Sequence, residues 1–143
     1  MSLFHKMVKW LVVGGTCILP AAYAQTDMSV TIPFGFHIQD KEFPSGEYKV
    51  SARSGQALVT LRSPDRRLSH FVLTSSEQTL NSNRKPSIEF QRYGTEYFLS
   101  TVWLPWSGAG RVVPRGRRQM ELARKYTIPE QTTLVGQLAS KNP

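Results

Sequence analysis

The stretch SVTIPFGFHIQ, residues 29–39, carries a large apolar side chain at every second position. Successive side chains of a β-strand point to opposite faces, so this alternation predicts a half-buried strand. Pro33 interrupts it on the polar-facing register. Proline cannot donate a hydrogen bond to a neighbouring strand, and we therefore expect the strand to lie at an edge or to bend at this residue.

Short apolar alternations separated by turn residues continue as far as residue 74. The turn sequences are Pro44-Ser45-Gly46, Ser54-Gly55 and Ser63-Pro64-Asp65. Such punctuation, recurring about every ten residues, is typical of consecutive β-hairpins. Residues 75–87 are mostly polar, and we expect them to form a surface loop.

Strands are predicted to resume at 88–93 and 97–104, on either side of a turn at Gly94-Thr95. The second of these strands is apolar on both faces. One face is predicted to carry Tyr97, Leu99 and Trp103, and the other Phe98, Val102 and Leu104. A strand without a polar face is usually central in its sheet and covered on both sides.

A change of composition follows Leu104. Residues 105–110 are rich in proline and glycine, which predicts a loop. Pro114 suits the first turn of a helix, and the four-residue spacing of Glu121 and Lys125 favours a helix that runs to about Lys125. Residues 133–139 are predicted to form the last strand. We therefore predict an all-β fold, an antiparallel β-sandwich or partly open β-barrel of about eight strands, with one short basic helix before the last strand.

The first 24 residues have the organisation of a secretory signal peptide. Lys6 and Lys9 precede an apolar run at 10–19, and Ala22 and Ala24 occupy the small-residue positions of a cleavage site. An uncleaved anchor is the alternative, although the run is only about half of the roughly 20 residues that span a bilayer. We predict cleavage near Ala24, a single β-rich domain at 25–143, and a periplasmic or extracellular location. The only cysteine, Cys17, lies in the signal, so the mature chain is free of cysteine.

The formal net charge of +8 is concentrated in one segment. Residues 25–110 contain nine basic and eight acidic residues, whereas residues 111–125 contain six basic residues and one acidic residue. Arginine forks match phosphate geometry, so this segment is a candidate contact for anionic lipid headgroups or lipopolysaccharide. The candidate anion-contact residues are Arg111, Arg115, Arg117 and Arg118. The alternative is a solvated helix face with salt bridges. Nucleic acid is not an expected partner, because the chain is predicted to be exported and the segment lacks interleaved aromatic residues.

Aromatic residues supply a second set of candidates. Tyr93, Trp103 and Trp106 combine apolar area with a polar atom, which suits contacts with a ligand or a protein partner. The alternative for Trp103 is simple core packing, because it belongs to an alternating strand pattern. Trp106 stands outside that pattern, in the Pro/Gly-rich loop.

Several short motifs occur in a fixed order along the chain. They are IPFGF at 32–36, FPSGEYKV at 43–50, FQRYG at 90–94, YFLS at 97–100, VW at 102–103 and ELA at 121–123. In these motifs the chain resembles an uncharacterised family of small exported bacterial proteins. The resemblance implies an exported, β-rich, single-domain protein and assigns no catalytic or binding residue.

Motifs for catalysis or metal binding are absent from the sequence. His37 and His70 lie in predicted strands without metal-ligand spacing, and no serine occupies a G-x-S-x-G elbow. We therefore expect no metal and no cofactor. The leading hypothesis is an exported non-enzymatic envelope protein that acts as a binding or interaction module. The alternatives are a small secreted hydrolase of an envelope or extracellular polymer, with His37 or His70 as base, and a purely structural role.

Overall fold

The computed structural model describes residues 25–53, 56–65, 67–79, 84–105 and 108–138. The predicted signal peptide at 1–24, Cys17 and Trp106 lie outside these ranges. Within them the regular elements, in chain order, are β1 (Gln25–Ile32), β2 (Phe36–Ile38), β3 (Lys41–Phe43), β4 (Gly46–Arg53), β5 (Leu58–Arg62), β6 (Ser69–Leu73), β7 (Ser75–Gln78), β8 (Ser87–Tyr93), β9 (Glu96–Trp103), β10 (Ala109–Val112), α1 (Arg117–Lys125), β11 (Glu130–Val135) and β12 (Gln137–Leu138). None of the described helical structure is long and apolar enough to cross a membrane.

The strands form two sheets that pack as a sandwich. The five-stranded sheet has the order β12-β1-β4-β5-β6, and the seven-stranded sheet has the order β11-β8-β9-β10-β7 with β2 and β3 added beside β9. The strand pairings are antiparallel apart from one parallel bridge between His37 and Phe98. The predicted all-β sandwich with a short helix late in the chain is confirmed.

The described residues contain more strands than the expected eight, because β3, β7, β10 and β12 were not predicted as separate strands. The break at Pro33 is confirmed, since β1 ends at Ile32 and β2 begins at Phe36. The expected loop at 75–87 is corrected: residues 75–78 form β7, which pairs with β10 while its side chains stay exposed. Backbone hydrogen bonds alone build such an edge strand, so its polar sequence did not reveal it.

The end of the chain also differs from the single predicted strand. β11 begins at Glu130 and joins the seven-stranded sheet, whereas β12 joins the five-stranded sheet. Gly136 lies between them, and a Cβ placed there would stand 2.8 Å from the sulfur of Met28. The glycine therefore lets the chain cross closely over β1 from one sheet to the other.

Apolar side chains from both sheets fill the space between them. Phe36 is fully buried at the centre, where its ring lies edge-on to Tyr48 and Phe90 at centroid distances of 5.4 and 5.5 Å. The hydroxyl of Tyr48 donates a 2.6 Å hydrogen bond to the carbonyl of Pro44 and so closes the turn before β4. Burial is the main reason that the pKa of Tyr48 is raised, with the nearby Asp65 adding to it.

A β-bulge in β9 changes the predicted faces of that strand. Phe90 pairs with Leu99, but the preceding Glu89 pairs with Thr101, so Ser100 is an extra residue in β9. The bulge reverses the alternation after Ser100. The core therefore receives Val102 and Leu104 together with Tyr97 and Leu99. Trp103, predicted on the same face as Leu99, lies instead on the outer face with Phe98.

Helix α1 packs against this outer face. Leu122 and Ala123 of the helix contact a small cluster formed by Tyr93 and Phe98. The side-chain amide of Gln119 donates to that of Gln91 at 3.1 Å. The helix therefore covers the half of the seven-stranded sheet that lies before the bulge.

The start of α1 is held by the turn between β2 and β3. The carboxylate of Asp40 accepts a 3.1 Å hydrogen bond from the backbone N–H of Arg118, at the second position of the helix. Free N–H groups at a helix start need such acceptors. A Cβ on Gly116 would stand 2.6 Å from both Asp40 Oδ1 and the carbonyl carbon of Gln39. Glycine at this position is therefore required for the close approach of the turn.

We predict that Gly116→Ala lowers the free energy of unfolding by about 1–3 kcal/mol, the usual cost of forcing extra atoms into a packed contact. Urea denaturation monitored by circular dichroism measures this change in the free energy of unfolding. Gly35→Ala is the matched control, because a Cβ there meets its nearest atom, the Phe43 carbonyl oxygen, at an ordinary 3.6 Å. If the two variants were equally stable, the close packing of Gly116 against the turn would be wrong.

Candidate functional site

The candidate site consists of the cationic and apolar side chains around α1, at residues 115–128. Asp40 fixes the start of the helix, and Leu122 anchors it to the sheet. The helical residues that do not face the sheet are left at the surface. The predicted anion-contact residues fall into three different environments within and beside this segment.

Arg118 is held by carboxylates of the chain itself. Its guanidinium forms two hydrogen bonds with Glu96, of 2.6 and 3.2 Å, and lies 3.9 Å from Glu121. The hydrogen bond from Arg118 is the largest reason that the pKa of Glu96 is lowered. Arg118 therefore helps to attach α1 to β9, and its charge is already balanced within the fold.

Arg111 is half-buried in β10, where it stands opposite Val102 of β9 and Ser76 of β7. The predicted loop at 105–110 thus gives way to a strand at Ala109. This position separates Arg111 from the surface of the helix. Arg111 and Arg118 do not join the other predicted anion contacts in one exposed group.

Arg115 and Arg117 are exposed beside the helix start, and Arg124 and Lys125 are exposed in its last turn. The ion pairs formed among the described residues include none of these four side chains. Arg117 and Arg124 are seven positions apart, so they share one helix face. These four cations are therefore available to an external anion.

Apolar side chains lie among these cations. Met120 stands between Arg117 and Arg124 on the same helix face and is 47% exposed. Beyond the helix, Tyr126 is 38% exposed and Ile128 is 86% exposed. From the sequence, only the arginines of this segment were predicted as contacts. The mixture of apolar and basic residues at 117–128 was the signal that could have identified the additional three.

Tyr93 and Trp103, the two predicted aromatic contacts within the described residues, are not brought together. Tyr93 is buried under α1, where its ring lies 5.9 Å from that of Phe98 and its hydroxyl donates to Gln91. Trp103 lies farther along the same face, and five residue pairs separate it from Tyr93 in the β8–β9 register. Trp106 falls outside the described residues. A ligand contact by these residues stays a prediction.

Trp103 belongs to a buried cluster of its own. The guanidinium of Arg84 lies 4.0 Å from the centre of its ring and also pairs with the buried carboxylate of Glu89. A Cβ on Gly110 would stand 2.8 Å from the indole, so glycine makes room for the ring. Within the described residues, Trp103 Nε1 has no hydrogen-bond partner. Cation–π attraction and pairing with Glu89 explain why Arg84 lies over this ring.

The two histidines occupy aromatic surroundings. His37 stacks on Phe98 with a centroid distance of 4.9 Å, and His70 lies 5.3 Å from the ring of Phe43. Burial, with a smaller effect of Lys41, lowers the pKa of His70. Neither histidine pairs with a carboxylate or hydroxyl in the described ranges. The same ranges hold no group of three or more His, Cys, Asp or Glu residues that could bind a metal ion.

The Arg118–Glu96 pair should make the free energy of unfolding depend on pH in the acidic range. The pKa of Glu96 is lower in the folded protein than in the unfolded chain, where it is about 4.3. The pair therefore stabilises the fold when the pH is above the unfolded-state pKa, and this stabilisation is lost as the pH falls through the folded-state pKa. We predict that Glu96→Gln reduces the loss of stability between pH 5 and pH 3. The reduction is at most about 1 kcal/mol, as for other partly exposed pairs.

Urea denaturation at a series of pH values measures this dependence. Arg118→Gln should flatten the same part of the profile, because it removes the donor to Glu96. If the free energy of unfolding of both variants changed with pH as it does in the wild type, the pair would contribute nothing to the pH dependence.

No match to this chain was found among protein-family models, curated proteins or solved structures. What can be inferred about its function therefore comes from the arrangement of its own side chains.

Proposed function

We propose that this protein is an exported, non-enzymatic binding module that docks on an anionic lipid surface of the cell envelope through residues 115–128. The observation that carries the proposal is a group of four exposed cations that have no carboxylate partner among the described residues, interspersed with exposed apolar side chains. The four are Arg115, Arg117, Arg124 and Lys125.

Ion pairing distinguishes the cations of this segment from several others in the chain. Arg84, Arg92, Arg118 and Lys49 each have a carboxylate partner within the chain. The excess of positive charge in the segment 111–125 therefore resides on side chains that face solvent. A lysine or arginine held close to an anionic membrane contributes about 1 kcal/mol to binding.

The apolar side chains supply the second part of the interaction. Single exposed apolar residues are common on soluble proteins and carry no meaning alone. Here Met120 lies between two arginines and Ile128 projects just beyond the helix. Helices that lie at a membrane interface combine basic residues with apolar ones that enter the boundary between headgroups and acyl chains. The exposed basic and apolar side chains at 115–128 form a short version of that arrangement.

The signal-like sequence at 1–24 supports the proposal of export, as does the resemblance to exported bacterial proteins. It would bring residues 115–128 to the periplasmic or extracellular side of an envelope membrane. Binding is preferred to the hydrolase alternative because neither His37 nor His70 is within ion-pair distance of a carboxylate among the described residues.

Export predicts a mature protein that begins at Gln25. N-terminal sequencing of the protein recovered from bacterial envelope fractions tests this prediction. Ala24→Arg should block processing and leave the longer chain, because signal peptidase sites require small residues. Recovery of the wild-type chain with Met1 intact from the cytoplasm would contradict export.

Vesicle binding tests the lipid proposal. The purified protein should co-sediment with phosphatidylglycerol-containing vesicles and not with phosphatidylcholine vesicles, and the binding should weaken with salt. Arg117→Gln combined with Arg124→Gln should weaken binding about 30-fold, the equivalent of roughly 2 kcal/mol for two cations. Ile128→Ser should weaken it without any change of charge.

The matched control is Arg53→Gln combined with Arg62→Gln, which removes the same charge from the other sheet of the sandwich. This control should bind anionic vesicles as the wild type does. If both double variants lost vesicle binding equally, the interaction would depend on net charge alone, which would contradict a specific docking face. Absence of binding to anionic vesicles would also contradict it.

A further inference from the structure

The outer face of the five-stranded sheet carries a shallow hollow that residues 115–128 do not reach. Its position follows from the strand register. Ser51 of β4 pairs with Thr60 of β5, which pairs with Phe71 of β6. Their neighbours Val50, Leu61 and Val72 point into the core. Because strand side chains alternate, Ser51, Thr60 and Phe71 point outward.

Short side chains at the centre and long ones around them create the depression. Ser51 and Thr60 form its middle, while Arg53, Leu58, Arg62 and Phe71 surround them. The hollow has a volume of about 310 Å³. This value lies at the small end of the range for ligand sites, about 300–1,000 Å³, and suits a single ring-sized group.

The charges around the hollow are unbalanced. Arg53 and Arg62 are exposed, and neither takes part in an ion pair among the described residues. The neighbouring Lys49 differs, because it pairs with Asp27 at 3.1 Å. The hollow thus has two guanidinium groups at its border and two hydroxyl groups at its centre. This combination favours a ligand that carries both an anionic group and hydroxyls.

An apolar wall completes the site. Phe71 is 59% exposed on β6, an edge strand of the five-stranded sheet, and Leu73 beside it is 70% exposed. An exposed aromatic ring offers a flat apolar surface with a negative face, on which the C–H groups of a saturated ring can pack. Leu58, which pairs with Leu73, extends this surface.

We propose that this hollow binds an anionic sugar unit, of the kind found in acidic polysaccharides. The ring of the sugar packs on Phe71, its hydroxyls exchange hydrogen bonds with Ser51 and Thr60, and its carboxylate pairs with Arg53 or Arg62. A second copy of this chain fits poorly, because a two-fold contact brings the same arginines face to face. The proposal is independent of lipid docking, since the two sites lie on different sheets.

Isothermal titration with alginate oligomers, which are chains of uronate sugars, tests the proposal, and neutral dextran oligomers serve as the comparison. The wild-type protein should bind the uronate oligomers and not dextran. Arg53→Gln combined with Arg62→Gln should weaken binding by tenfold or more. Phe71→Ala should weaken it by a similar factor without changing the charge, and the exposure of Phe71 means that this variant should fold normally.

The Arg117→Gln and Arg124→Gln double variant is the matched control and should bind uronate oligomers as the wild type does. Loss of binding in that control, binding of dextran with equal affinity, or tighter binding of polyglutamate would each overturn the proposal. No binding of alginate oligomers by the wild type would do the same. The vesicle measurement is unaffected by any of these results, so the two proposals fail separately.

Discussion

The extra residue Ser100 in the central strand β9 determines the inner and outer faces of the seven-stranded sheet. Its hydroxyl donates a 2.9 Å hydrogen bond to the carbonyl of Glu89, and its own carbonyl accepts one of 2.8 Å from the N–H of Val113. The bulge is thus fixed to both neighbouring stretches of chain. Without it, Val102 and Leu104 would face outward and the large indole of Trp103 would enter the core.

The bulge also divides the outer face of that sheet into two regions. Before it, Phe98 and Tyr93 receive helix α1, and Arg118 joins the helix to Glu96. After it, Trp103 is covered by Arg84, which is paired with Glu89. Both regions use arginines for internal contacts. The cations proposed as external contacts lie elsewhere, on and beside α1 and around the hollow of the other sheet.

Much of the fold could be predicted from local patterns. The alternation at 29–39, the break at Pro33 and the hairpin across Ser63-Pro64-Asp65 are properties of neighbouring residues, and the structure confirms them. The expected hairpin turn at Pro44-Ser45-Gly46 was wrong, because β3 pairs with β2 and β4 pairs with β1 and β5. The helix and its end at Lys125 were predictable for the same reason, from the spacing of Glu121 and Lys125, but it begins at Arg117, so Pro114 lies before the helix and not in its first turn. The face of Trp103 was not predictable, because a bulge depends on the register of two strands. β7 was missed because its polar residues contribute backbone hydrogen bonds alone.

The candidate sites, like the fold, could be predicted only in part from local sequence patterns. The basic segment was visible in the sequence, yet only the fold separates Arg118, which is paired with Glu96, from Arg117, which is exposed one position earlier. The role of Asp40 at the start of α1 joins residues 78 positions apart. The hollow around Ser51 and Thr60 depends on three strands in register, so no local pattern of residues announces it.

The pairing of β8 with β9 is the most direct test of this account. Cross-strand nuclear Overhauser contacts in the isotopically labelled protein report which residues face each other. The account predicts contacts between Phe90 and Leu99 and between Glu89 and Thr101, with the Trp103 ring close to Gly110. Contacts that align Glu89 with Ser100, together with contacts from the Trp103 ring to Val50 in the core, would contradict it.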